Sequence, residues 1–131
     1  MSSVLDASAL ISVIRNERGA DMVRSRLPGS LISSVNLSEV LYKAWDKGAS
    51  KEFVSWAIDN LPIQSVPFDD DQAMIAASIR NRTLKKGVSF ADRACLALGL
   101  SQGLPVLTSD GRWVELDIDV DVQLFREPKA A

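Results

Sequence analysis

A chain of 131 residues, 47% hydrophobic and 24% charged, is long enough for one two- or three-layer core and too short for two independent ones. Its formal net charge of −2 supplies no general attraction to nucleic acid or anionic membrane, so a partner of that kind must be met by a local patch. The chain contains no histidine, which excludes Ser-His-Asp and Cys-His nucleophilic sites, histidine bases and the common zinc sites, and leaves carboxylates as the groups for catalysis.

The N-terminus has no basic lead-in, and its apolar run breaks at Asp6, so neither a signal peptide nor a membrane span fits. The expectation is a soluble, cytoplasmic chain with a single domain over 1–131. Its one cysteine, Cys95, rules out an internal disulfide and lies in an Ala- and Leu-rich stretch, where it reads as a packed small hydrophobe.

Residues 3 to 6 read as a buried strand, followed by a helix from Ala7 to Asn16 with Leu10, Ile11 and Ile14 on one face. Met22, Val23 and Leu27 mark a second, short helix that Pro28-Gly29 ends, and Leu31 to Ser33 form the second strand. A helix from Val35 turns Leu37, Val40, Leu41, Ala44 and Trp45 inward and stops at Gly48. The next helix, Ser50 to Asn60, leads into a third strand at Ile63 to Val66. Asp69-Asp70-Asp71 opens another helix and reads as its capped start, since acids complement the dipole of a helix N-terminus. A long helix from Phe90 to Gln102, a fourth strand at Val106 to Thr108, a short helix from Asp110 to Leu116 and a fifth strand through Val120, Val122 and Leu124 complete the chain. Strands alternating with helices, without tight hairpin signals, predict an α/β fold, a three-layer α/β/α sandwich with a five-stranded, mostly parallel sheet.

In such a sheet Asp6 ends the first strand and Thr108-Ser109-Asp110 ends the fourth. If those strands are parallel neighbours, both carboxylates emerge in the crevice where open α/β sheets place ligands. Two more acids have unusual settings: Glu39, one helical turn beyond Asn36, and Asp92, in the first turn of the long helix. Each also has a plain structural reading. Ser89-x-x-Asp92 is a capping-box pattern, Asp110 is placed to cap the short helix after it, Glu39 suits a solvated helix face, and Asp6 suits a strand end held by the next helix's amides. Their joint placement at strand ends and helix starts favours a common site. Carboxylates in contact repel by about 4 kcal/mol per close pair at an effective dielectric near 20, so a converging set calls for a cation. Hard oxygen ligands suit Mg²⁺ or Mn²⁺, and the chemistry they support best is phosphodiester hydrolysis.

The acids Asp117, Asp119 and Asp121 do not make a calcium loop, because Val122 and Pro128 stand where the pattern needs glycine and glutamate. Positive charge is concentrated in Arg80 to Lys86 and Arg93, which are the candidates for phosphate binding, with a solvated helix end as the alternative.

The ordered motifs Val-Leu-Asp6-Ala-Ser8, Asn36-Leu-Ser-Glu39-Val, Ser-Phe-Ala-Asp92-Arg-Ala-Cys-Leu-Ala and Val-Leu-Thr108-Ser-Asp110, with Trp113 shortly after, resemble the PIN-domain superfamily. Within it the chain is most similar to VapC-type toxins of toxin–antitoxin pairs. The resemblance covers nearly the whole chain and implies a five-stranded parallel sheet and a Mg²⁺- or Mn²⁺-dependent ribonuclease. It also implies a homodimer, neutralised by a cognate antitoxin whose C-terminal segment wraps the toxin. By position, Asp6, Glu39, Asp92 and Asp110 match the family's acidic residues, with Ser8, Asn36 and Thr108 beside them on the supporting or substrate side. Two rival functions remain: a PIN-like regulatory module that binds metal without hydrolysis, and a phosphohydrolase of small substrates.

Overall fold

The computed structural model describes residues 2–128. In chain order it contains β1 (Val4–Leu5), α1 (Ala7–Ile14), α2 (Ala20–Arg26), β2 (Ser30–Ser33), α3 (Ser34–Asp46) and α4 (Lys51–Asp59). After these come β3 (Ile63–Val66), α5 (Asp70–Ser78), α6 (Arg80–Thr83), α7 (Phe90–Gln102), β4 (Val106–Thr108) and β5 (Val122–Leu124), with 3₁₀ turns at Leu84–Lys86 and Gly111–Glu115. The strands form one sheet of order β3-β2-β1-β4-β5, parallel at every pairing. Successive strands step outward from β1 to β2 and β3, and the chain then returns to the other side of β1 for β4 and β5. The order therefore reverses between β1 and β4.

Parallel strands need both faces covered, and the pleat divides the apolar residues between them. Leu5 and its neighbour Leu107 face one core cluster with Leu10, Val23, Ile32 and Phe125. Val4 and its neighbour Val106 face the other, with Leu96, Leu98 and Trp113. Helices α1 and α2 belong to the first layer, and α7, backed by α5, to the second. The middle of α7 is enclosed: Ala94, Cys95, Leu96, Ala97 and Leu98 are fully buried, as expected of a helix that is apolar all round. Burial pushes the Cys95 thiol well above its usual pKa, in keeping with a packing role.

Helix starts follow their side-chain caps. The Ser33 hydroxyl accepts from Val35 N–H, Ser50 from Phe53 N–H, and Asp69 from Gln72 N–H, so the triple aspartate is a capped helix start. The first strand is shorter than residues 3 to 6 because Asp6 takes the N-cap position of α1. The short helix expected from Asp110 is a 3₁₀ turn, capped by the Asp110 side chain. Among the described residues, no helix is long and apolar enough to cross a membrane.

Candidate functional site

The reversal between β1 and β4 opens a cleft of about 680 Å³ at the C-terminal strand ends. Asp6, Glu39, Asp92 and Asp110 all line it, as does Ser8.

Asp6 is carried directly by the sheet. Its N–H donates to Leu107 O at 3.0 Å, fixing it opposite Thr108. Its side chain makes no bond to the α1 amides, so capping does not account for it. Two hydroxyls hold it instead: Ser8 Oγ and Thr108 Oγ1 each donate to Asp6 Oδ2 at 2.8 Å. Those hydroxyls are themselves aimed by backbone amides, because Ser109 N–H donates to Ser8 Oγ at 3.2 Å and Asp110 N–H to Thr108 Oγ1 at 3.1 Å. Among the described residues no donor meets Asp6 Oδ1. The residue is only 7% exposed, and its carboxyl pKa is pushed up to about 6. Burial is the main cause. The hydroxyl bonds oppose the shift, and the charges of Asp92 and Glu39 reinforce it.

Asp92 both caps and faces the cleft. Its Oδ2 accepts from Ser89 N–H at 3.0 Å while Ser89 Oγ accepts from Asp92 N–H at 3.1 Å, closing a capping box on α7. Its pKa is raised, chiefly by burial, with the Ser89 bonds acting against it and the charges of Glu39 and Asp110 adding to it. Glu39 is joined to α7 through Asn36, whose Nδ2 donates to Glu39 Oε1 at 3.3 Å and to Ala91 O at 2.9 Å. Asn36 is fully buried and sets the distance between the start of α3 and the start of α7.

Two of the acids are engaged by cations. Lys43 Nζ lies 3.0 Å from Glu39 Oε2, one turn along α3. Arg112 grips Asp110 with two prongs, Nε to Oδ1 at 3.0 Å and Nη2 to Oδ2 at 2.6 Å, and this grip is the main reason the Asp110 carboxyl is held below its usual pKa. Asp110 Oδ1 also accepts from Arg112 N–H at 3.0 Å.

Around the acids stands a rim that sequence reasoning did not pick out: Arg18, Lys43, Lys47, Arg112 and Arg126. Lys43 had a local signal in its spacing of four from Glu39, and Arg112 in its closeness to Asp110. Arg18 and Arg126 had none, being brought together when Arg126 Nη1 donates to Arg18 O at 3.0 Å and Arg18 Nη2 to Glu127 O at 2.8 Å. The cations expected to bind phosphate lie elsewhere. Arg93 does not line the cleft; its Nη1 donates to Ala76 O at 3.0 Å and its guanidinium lies over the Phe90 ring, tying α7 to α5. Arg80 to Lys86 also lies outside the cleft, with Lys86 paired to Glu115 at 2.9 Å.

Oxygen donors without a soft ligand suit Mg²⁺ or Mn²⁺ in kind. Asp6 is the best placed, with an oxygen that no donor among the described residues meets and two neighbouring negative charges. As they stand, no three Asp, Glu, Cys or His side chains among the described residues are gathered closely enough to hold one ion. Glu39 and Asp110 are each paired instead with a cation of the chain itself.

Fold and cleft together define an α/β protein with an acidic site at the switch point of a parallel sheet, rimmed by cations. The PIN domain family model matches residues 3–119, and the chain belongs to that family. Solved structures share the fold. A toxin-antitoxin complex from Klebsiella pneumoniae matches with a TM-score of 0.75 at 17% identity, over 95% of this chain and 98% of that one. DNA-bound VapBC from Salmonella typhimurium matches with a TM-score of 0.74 at 21% identity, over 96% and 100%. Mycobacterium tuberculosis VapC20, a sarcin-ricin loop cleaving toxin, matches with a TM-score of 0.72 at 15% identity, over 92% and 99%. Comparison with curated proteins by sequence returned no match.

Proposed function

We propose that the chain is a Mg²⁺- or Mn²⁺-dependent endoribonuclease and the VapC-type toxin of a toxin–antitoxin pair. The observation that carries this is the buried Asp6, facing Asp92 and Glu39 at the strand switch point within a ring of cations. An acidic floor suits a divalent cation, and a basic rim suits a polyanion. A site with both suits a nucleic-acid phosphodiester better than a small neutral substrate.

In this reading Asp6 and Asp92 would hold the metal, and Glu39 and Asp110 are the carboxylates that would complete its ligand set once free of Lys43 and Arg112. When bound, the cation supplies a lowered pKa for water and neutralises charge developing on the phosphate. Ser8 and Thr108 keep Asp6 ionised and oriented, since their hydroxyl hydrogens already point at Oδ2. Asn36 keeps Glu39 and Asp92 at working distance. The rim cations bind phosphates on either side of the scissile bond without reading sequence. The relatives of similar fold from toxin–antitoxin complexes support a protein antitoxin as partner.

RNA cleavage by the purified chain with Mn²⁺, compared with Asp6→Asn and Asp92→Asn, tests the assignment. Each variant is expected to lose at least about a hundredfold in rate, the scale on which removal of a key electrostatic group acts. If both variants cleave as well as the parent, the assignment fails. Calorimetric Mn²⁺ binding with no cleavage of any RNA pool would decide instead for a module that binds metal without hydrolysis.

A further inference from the structure

Arg112 stands out among the rim cations. It is the one gripping a site acid with a two-pronged fork, yet its side chain is still 55% exposed. The third guanidinium nitrogen is anchored elsewhere, with Nη1 donating to Lys86 O at 3.1 Å. The chain makes room for that anchor at Gly87, which has φ +68°, and where a Cβ would lie 3.1 Å from Arg112 Nη1. One edge of the guanidinium is therefore anchored to a backbone carbonyl of the 3₁₀ turn, through a nitrogen other than the two that hold the carboxylate. What fills it here is the Asp110 carboxylate.

A phosphodiester presents two non-bridging oxygens that take the same fork, and guanidinium binds phosphate and carboxylate in the same two-pronged way. Lys43, a point charge on a flexible stem, lacks this matched geometry. We infer that Arg112 is the phosphate-recognition residue of the cleft and that an RNA phosphodiester takes the fork from Asp110, so that phosphate capture and release of Asp110 into the cleft are one exchange. This rests on the nuclease reading for its substrate, while the exchange itself needs only an RNA ligand. No covalent bond changes; one charge-assisted pair replaces another. Until the exchange, both Asp110 oxygens are taken up by Arg112, so the fourth carboxylate is freed only when substrate is present.

The experiment is anisotropy of a labelled single-stranded RNA in EDTA, where no hydrolysis competes. Arg112→Gln is expected to weaken binding on the order of tenfold, and Arg112→Lys, which keeps charge and loses the fork, to fall between it and the parent. Asp110→Asn removes the competitor and is expected to tighten binding about three- to tenfold. In the Arg112→Gln background that gain is expected to shrink below about twofold, the non-additivity that marks a shared partner. Thermal melts of each variant separate loss of fold from loss of the fork, and Asp110→Asn, which weakens no RNA contact, is informative even if Arg112→Gln is unstable. The exchange is overturned if the parent fails to bind RNA in EDTA, or if Arg112→Gln folds and binds like the parent. It is also overturned if Asp110→Asn has the same effect with and without Arg112. Arg112-dependent binding with no cleavage under Mn²⁺ sinks the nuclease reading and leaves the exchange standing. Cleavage by the parent with binding indifferent to Arg112 does the reverse.

Discussion

Asp6 is held in a state that costs stability. A carboxyl whose folded pKa lies near 6, above the unfolded value of 3.8, takes up a proton on folding between those two values. The folded state then binds more protons than the unfolded one, so stability falls as pH rises through that window and levels off above about pH 6. The shift corresponds to an upper bound of about 3 kcal/mol, because one pKa unit is about 1.4 kcal/mol. In EDTA at about pH 7.5, Asp6→Asn is therefore expected to be more stable than the parent by about 1–3 kcal/mol, with the gain vanishing near pH 4. Urea unfolding at the two pH values measures it; a less stable Asp6→Asn at the higher pH would make Asp6 a structural residue. The position of Asp6 was legible because an apolar run stops on it. Its two ties to β4, through Leu107 O and Thr108, and a third to the following Ser109 by way of Ser8, were not, since they join residues about a hundred positions apart.

At the scale of elements, α7 decides the geometry, because its first turn carries Asp92 while its middle is the core of one layer. Its approach to the sheet depends on Gly99. A Cβ there would lie 2.6 Å from Val106 Cγ2 and 3.1 Å from Val120 Cγ2. Val106 is fully buried and β-branched, so its methyl has little room to turn aside. Gly99→Ala adds about 1 kcal/mol of helix propensity, against overpacking that typically costs about 1–3 kcal/mol. The net expectation is a loss of up to about 2 kcal/mol in denaturant unfolding; a more stable variant would show that α7 can back away from β4 freely. Sequence periodicity located this helix and all five strands, and the Ser89-x-x-Asp92 pattern offered its cap, since each leaves a local mark. Strand neighbourhood leaves none. That β1 lies beside β4, which brings Asp6 and Asp110 into one cleft, follows from burying Val4 with Val106 and Leu5 with Leu107 on opposite faces.

Over the whole molecule charge is arranged rather than summed. A formal net charge of −2 conceals an acidic floor inside a ring of five cations, Arg18, Lys43, Lys47, Arg112 and Arg126. The densest basic run in the sequence, Arg80 to Lys86, contributes none of them, because α6 and the turn after it lie outside the cleft. Sequence clustering and spatial clustering of charge thus point to different RNA paths, and salt dependence separates them. For single-stranded nucleic acid each neutralised phosphate contributes about −0.7 to the slope of log affinity against log salt. Binding confined to the rim, measured in EDTA, is expected to give a slope no steeper than about −3.5, reached only if all five cations are engaged. Lys47→Ala, at the rim, is expected to flatten the slope by about 0.7, and Lys85→Ala to leave it unchanged. If Lys85→Ala flattens the slope and Lys47→Ala does not, the RNA runs along the turn after α6 and the cleft rim is not its path.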